Sequence, residues 1–157
     1  MKAATLAGMS FGNAGVHVPH AMSYAVAGMI RDYHPEGWPK GPSLCLHGIS
    51  VVVNAPAAFR FTASANPSRH LRAASALGAD CAGAEPELAG EILAASLIAL
   101  MREAGIPNGL QALNYGSEDV PQLAAGAFQQ QRLLSISPRE VSQTDLEAIY
   151  ADAMRYW

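Results

Sequence analysis

The chain has 157 residues, a net charge of −3, half of its residues apolar and only 15% charged, so it can bury a core and is too apolar to be disordered. The slight acidity leaves no basic footprint for nucleic acid or an anionic membrane surface. Two cysteines, Cys45 and Cys81, make no disulfide framework and point to a reducing compartment, so a cytoplasmic protein is expected. The longest apolar run, Ile92 to Met101, falls far short of a membrane span.

Met1 leads straight into an apolar helical pattern with no polar cap, as if the chain began inside a helix of something longer. Lys2 to Met9 reads as a short alanine-rich helix, and GNAG after Phe11 reads as a turn. His17 to Ile30 is the next helix, with Pro19 in the first turn, where proline is tolerated. RDYHPEGWPKGPS follows as a polar loop inserted between helices. His47 to about Thr62 is a third helix, although VVV would also suit a short buried strand, and Pro56 predicts a break near Asn54.

Asn66 to Leu77 has an N-cap in Asn66, proline at the first position and Gly78 just past the end. Pro86 to Ala104 is the clearest amphipathic helix, ended by Gly105. Ser117 is a cap for the next helix, and Thr144 with Glu147 reads as a capping box for the last, which is expected to run to about Tyr156. No alternating segment of any strength and no βαβ rhythm occurs. The fold class is therefore mainly α, with seven or eight helices in a single domain spanning 1–157.

Five histidines are the chemistry worth weighing: His17, His20, His34, His47 and His70. His20 and His47 each stand near the start of an apolar helix, so they form a candidate metal-ligand pair. The plainer reading is a cap or a satisfied core residue. His70, between Arg69 and Arg72, is expected on a solvated face, and His34 in the loop. His17, His20, Cys45 and His47 also spell H-x2-H…C-x-H, a poor match to a closed zinc site because Cys-x-His is an unusual spacing. There is no nucleophile elbow, phosphate loop, zinc-protease helix, paired-carboxylate pattern or dinucleotide fingerprint. Two histidines alone do not complete an open metal site. Further ligands must come from elsewhere, or there is no metal.

AGMSFGNAGVHVPHAMSYAVAG followed by LHG resembles the metal-binding segment of the iron-containing alcohol dehydrogenases. FGNAGVHVPHAMSY, HGISVVV, FTASANPSRHL and LGAD together resemble one branch of that family, the hydroxyacid-oxoacid transhydrogenases. GIPNGL, the QQR turn and the closing MRYW extend the likeness over essentially the whole chain. The resemblance implies the C-terminal multi-helix domain of the iron-containing alcohol dehydrogenase (dehydroquinate synthase-like) fold, without the nucleotide-binding domain. It lays His20 and His47 on two metal-ligand positions, and His17 on a position usually filled by a small residue. Tyr24 falls where many members carry a second histidine beside the nicotinamide, which makes it a cofactor-binding candidate and favours a hydroxyacid over a simple alcohol. Leu46 departs from the proline common before the second ligand.

The resemblance further implies a divalent metal, Fe2+ or else Zn2+, and NAD(P) held only with the absent N-terminal domain, which would also bring two more ligands. The implied reaction takes hydride from a 3- or 4-hydroxy acid to 2-oxoglutarate through bound nicotinamide. No residue of this chain is assigned a catalytic role. A lone helical chain is expected to be inactive, to need a nucleotide-binding partner chain, and to self-associate through the apolar face a missing domain would cover. The competing expectation is a non-catalytic helical module derived from the same family.

Overall fold

The structure, a computed structural model, describes residues 1–39 and 41–157; Lys40, within the expected loop, lies outside the described residues. Nine α-helices occur among them: α1 Lys2–Ala14, α2 Val18–Gly28, α3 His47–Val52, α4 Ala55–Thr62, α5 Pro67–Ala76, α6 Ala89–Glu103, α7 Val120–Phe128, α8 Gln131–Leu134 and α9 Gln143–Asp152. Short 3-10 turns link several of them, and the described residues contain no strand. The mainly-α class is what the periodicity implies.

Local differences from the sequence reading have local causes. The helix expected to stop at Met9 continues through Gly12 and Asn13 and ends only at Gly15, whose φ of 74° leaves the helical region. A glycine inside a helix costs about 1 kcal/mol relative to alanine, which weakens the helix without breaking it. The VVV stretch is helical, and the break falls at Asn54, where Pro56 enters the first turn of α4 and its missing N–H costs nothing.

The cap of α9 is Ser142 with Asp145, not Thr144 with Glu147. Ser142 Oγ accepts the Asp145 N–H at 3.1 Å, and Asp145 returns a carboxylate oxygen to the Ser142 N–H at 2.9 Å. Both pairs have the right spacing, but Ser142 has the extended backbone a cap needs, and Thr144 already lies inside the helix. Ser117 is not a side-chain cap either. It sits in a 3-10 turn, where Asp119 accepts from the Gly116 N–H at 2.9 Å and from Arg31 at 2.6 Å. α9 stops at Asp152 rather than Tyr156 because the carbonyls of Ala153 and Met154 turn to receive the N–H groups of Leu110 and Gln111, each at 3.0 Å.

Asn66 caps α5 as expected, accepting the Arg69 N–H at 3.2 Å. Asn66→Ala is expected to lower stability by about 1 kcal/mol, read as a shift in the urea midpoint with unchanged slope.

α2 is the spine of the core. It packs on α3 and α7, α7 packs on α9, and α6 lies across α4 and α5. Val18, Ala21, Met22 and Val26 of α2 are fully buried. Three tyrosines from the C-terminal third fasten this layer by donating their hydroxyls to backbone carbonyls: Tyr150 to Met22 at 2.9 Å, Tyr115 to Val26 at 2.6 Å and Tyr156 to Val53 at 2.8 Å. A buried phenol needs such an acceptor, and here each acceptor also fixes where α2 or the end of α3 sits. α1 is the exception to this packing. It buries no residue, and Leu6, Met9 and Phe11 are each more than half exposed.

Candidate functional site

His20 lies in the first turn of α2 and His47 is the first residue of α3. The crossing of these helices brings their rings to 5.4 Å between centroids, tilted by 59°. The backbone behind each ring is fastened in the same way. Ser23 donates to the His20 carbonyl at 2.8 Å, and Ser50 donates to the His47 carbonyl at 2.9 Å. Both serines are buried, so the bonds satisfy hydroxyls that would otherwise be orphaned, and they hold the two histidine-bearing turns in fixed shape.

Burial holds the His20 pKa below the ordinary histidine value, and the neighbouring His47 lowers it further. An imidazole kept neutral has a lone pair to offer. Tyr24 is one turn beyond His20 on the same helix face and is about half exposed.

Beside His20 is an apolar cleft of about 210 Å³, walled by Pro19, Val51, Ala55 and Phe59, with His17 and His20 as its polar members. His17 meets Phe59 edge-on at 6.2 Å, and Phe59 meets His70 edge-on at 5.9 Å. His70 corrects the sequence reading. It is buried, not solvated, because Thr62 bonds its Nε2 at 3.0 Å while its Nδ1 donates to the Asn66 carbonyl at 2.8 Å. The flanking arginines hid this, and no local signal announces Thr62 as a partner. His17 is partly buried, and its pKa is lowered by burial first, then by His20 and His70. His34 is an exposed loop residue, as expected, with its Nε2 donating to the Gly41 carbonyl.

The four-residue zinc set is not assembled. Among the described residues no three His, Cys, Asp or Glu side chains come together as a metal site. The Cys45 thiol is buried, its pKa is pushed up to about 11, and it turns toward the Leu46 carbonyl. A zinc ligand must be a thiolate, which this environment opposes.

These elements make up a helical domain that pairs two histidines from separate helices, one of which, His20, lines an apolar cleft. Residues 1–154 match the model of the Fe-containing alcohol dehydrogenase family, C-terminal, and the chain belongs to that family. It is 43% identical over 155 residues to a probable hydroxyacid-oxoacid transhydrogenase, mitochondrial, of Dictyostelium discoideum, covering 98% of this chain and 28% of that protein. It is 41% identical to the hydroxyacid-oxoacid transhydrogenase, mitochondrial, of Xenopus tropicalis, covering 99% of this chain and 34% of that protein.

Among solved structures, a 1,3-propanediol oxidoreductase superposes with a TM-score of 0.77 at 28% identity, covering 94% of this chain and 35% of that one. The alcohol dehydrogenase from Oenococcus oeni superposes with a TM-score of 0.78 at 25% identity, with the same coverage of 94% and 35%. The chain thus spans about a third of the length of the proteins it matches. The two curated relatives are named as mitochondrial, so they lend the cytoplasmic expectation no support. No helix among the described residues is long and apolar enough to cross a membrane.

Proposed function

We propose that the chain is the metal-binding half of a hydroxyacid-oxoacid transhydrogenase, with residues 1–157 forming one helical unit and His20 and His47 supplying two of the metal ligands. The observation that carries this reading is the ring separation. A metal–nitrogen bond of about 2.1 Å, followed by about 1.1 Å to the ring centre, puts two imidazoles at a tetrahedral angle roughly 5.2 Å apart. The rings stand at 5.4 Å. The donor chemistry also fits, since neutral imidazole suits Fe2+ and Zn2+ alike. The other ligands and the nucleotide site belong to a part of the enzyme outside these residues, in the same or a separate chain.

The chemistry supplied by such a metal, when bound, is Lewis-acid polarisation of a substrate oxygen. The chain's own residues do the rest of the work on this side of the cleft. His20 and His47 are held in place by the serine-tethered turns. Val51, Ala55 and Phe59 exclude water from the substrate's carbon chain. Tyr24, one turn along, faces the nicotinamide that arrives with the nucleotide-binding part. The reaction is hydride transfer from a 3- or 4-hydroxy acid to 2-oxoglutarate. The free thiols Cys45 and Cys81 suit a reducing compartment.

The isolated chain is expected to show no 2-oxoglutarate-dependent oxidation of 4-hydroxybutyrate. Adding a nucleotide-binding domain from a full-length relative should restore turnover. Robust turnover by the chain alone overturns the two-part reading, and no turnover with any such domain favours the non-catalytic module.

Self-association follows from α1. A 13-residue helix with no buried residue has little stability of its own in water. Its exposed Leu6, Met9 and Phe11 are expected to drive oligomers at high concentration. Leu6→Glu with Phe11→Glu should shift sedimentation toward monomer, and a wild-type chain that stays monomeric counts against the idea.

A further inference from the structure

We propose that His17 is the residue that binds the carboxylate of the hydroxyacid, at the end away from the reacting carbon, and so selects an acid over a plain alcohol. This rests on the function proposed above, because it names the substrate group that the same cleft reads.

The cleft needs a polar reader. Its walls are Pro19, Val51, Ala55 and Phe59, and His20 in its lining is committed to the pair with His47. His17 is the remaining polar side chain of the lining. At about 210 Å³ the cleft is smaller than typical drug-sized pockets of about 300–1,000 Å³, and suits a ligand of a few carbons. A short ω-hydroxy acid has a hydroxyl at one end, methylenes in the middle and a carboxylate at the other. Those three parts match the histidine pair, the apolar wall and His17.

The burial of His17 decides what it offers. Its Nδ1 is sequestered from solvent and has no hydrogen-bond partner. A buried N–H without an acceptor is rarer and costlier than a bare lone pair, so the proton belongs on Nε2. Nε2 is not among the buried unpartnered atoms, and the ring lines the cleft, so the donor is the edge a ligand meets. Phe59 against one side of the ring, backed in turn by the doubly bonded His70, keeps that edge in place. A neutral, fixed N–H in an apolar cleft rewards an acceptor oxygen and gives a methyl group nothing.

The test uses the full chain, labelled with nitrogen-15 at histidine, and two probes: 4-hydroxybutyrate and 1-butanol, which share the hydroxyl and carbon count and differ in the carboxylate. The expected result is a His17 ring in the Nε2–H form whose signals move with the acid and not with the alcohol. A preference for the acid of roughly tenfold or more is expected, the effect of one hydrogen bond to a charged group. His17→Phe, which keeps an aromatic ring against Phe59, should abolish the preference, and His17→Gln, which keeps a donor, should restore part of it.

An Nδ1–H tautomer, a silent His17, no acid preference in the wild type, or a preference that survives His17→Phe overturns the proposal. Each titration is run with and without Zn2+. Failure to bind Zn2+ overturns the metal reading alone, because the tautomer and the acid response are read equally on the metal-free chain.

Discussion

His20→Ala and His47→Ala should each lower the chain's affinity for Zn2+ by roughly 100-fold, since losing even an outer-shell partner of a metal ligand costs about 10–100-fold. The double variant should bind no better than a surface histidine. Competition with a chromophoric chelator reads all three. Cys45→Ser is the control: its buried, protonated thiol faces the Leu46 carbonyl, so affinity should stay within about twofold.

The pH dependence has a definite sign. Binding a metal requires neutral imidazole, and the folded protein lowers the His20 pKa. Protons therefore compete for His20 only below the ordinary histidine range, and affinity should hold through neutral pH and fall in mild acid. Unchanged affinity in the double variant removes the shared site, and the enzyme-half reading goes with it.

Gly109→Ala should cost about 3 kcal/mol or more, the sum of left-handed backbone strain and overpacking at about 1–3 kcal/mol each. Gly109 has a φ of 69°, and a Cβ there would lie 2.5 Å from the Met154 carbonyl oxygen and 2.6 Å from that of Ala153. Those two carbonyls accept the N–H groups of Leu110 and Gln111, so the intruding methyl pushes against the bonds that join the GIPNGL segment to the end of α9. Neither side can yield by rotating a side chain, because the obstacle is backbone. Urea unfolding measures the loss, and an unchanged midpoint would show that the turn after α9 gives way freely.

The helices were legible because their signals are short-range. Asn66-Pro67 opens α5 and Gly105 follows α6, each read from a few adjacent residues. The errors came where two local signals competed or where the deciding partner is distant. Ser142 and Thr144 offer rival caps, and only the backbone chooses between them. His70 looks solvated beside its arginines until Thr62, eight residues back, turns out to hold it inside. His20 and His47 stand out as a pair in the sequence, and the helix crossing places their rings 5.4 Å apart. The resemblance lays His17 on a position usually filled by a small residue, so it gives His17 no role. Its orphaned nitrogen and its place in the cleft depend on Phe59, which no spacing rule connects to it.

The tyrosine bonds also bear on how the chain comes off the ribosome. Met22 waits for Tyr150, 128 residues later, and Val26 waits for Tyr115, 89 residues later. Contacts so far apart in sequence must be closed against chain entropy before they stabilise anything, which raises the contact order and slows folding. The helix carrying His20 is made well before the two tyrosines that fasten it. A nascent chain therefore exposes His20 and His47, with no settled cleft around them, until Tyr115 and Tyr150 have emerged.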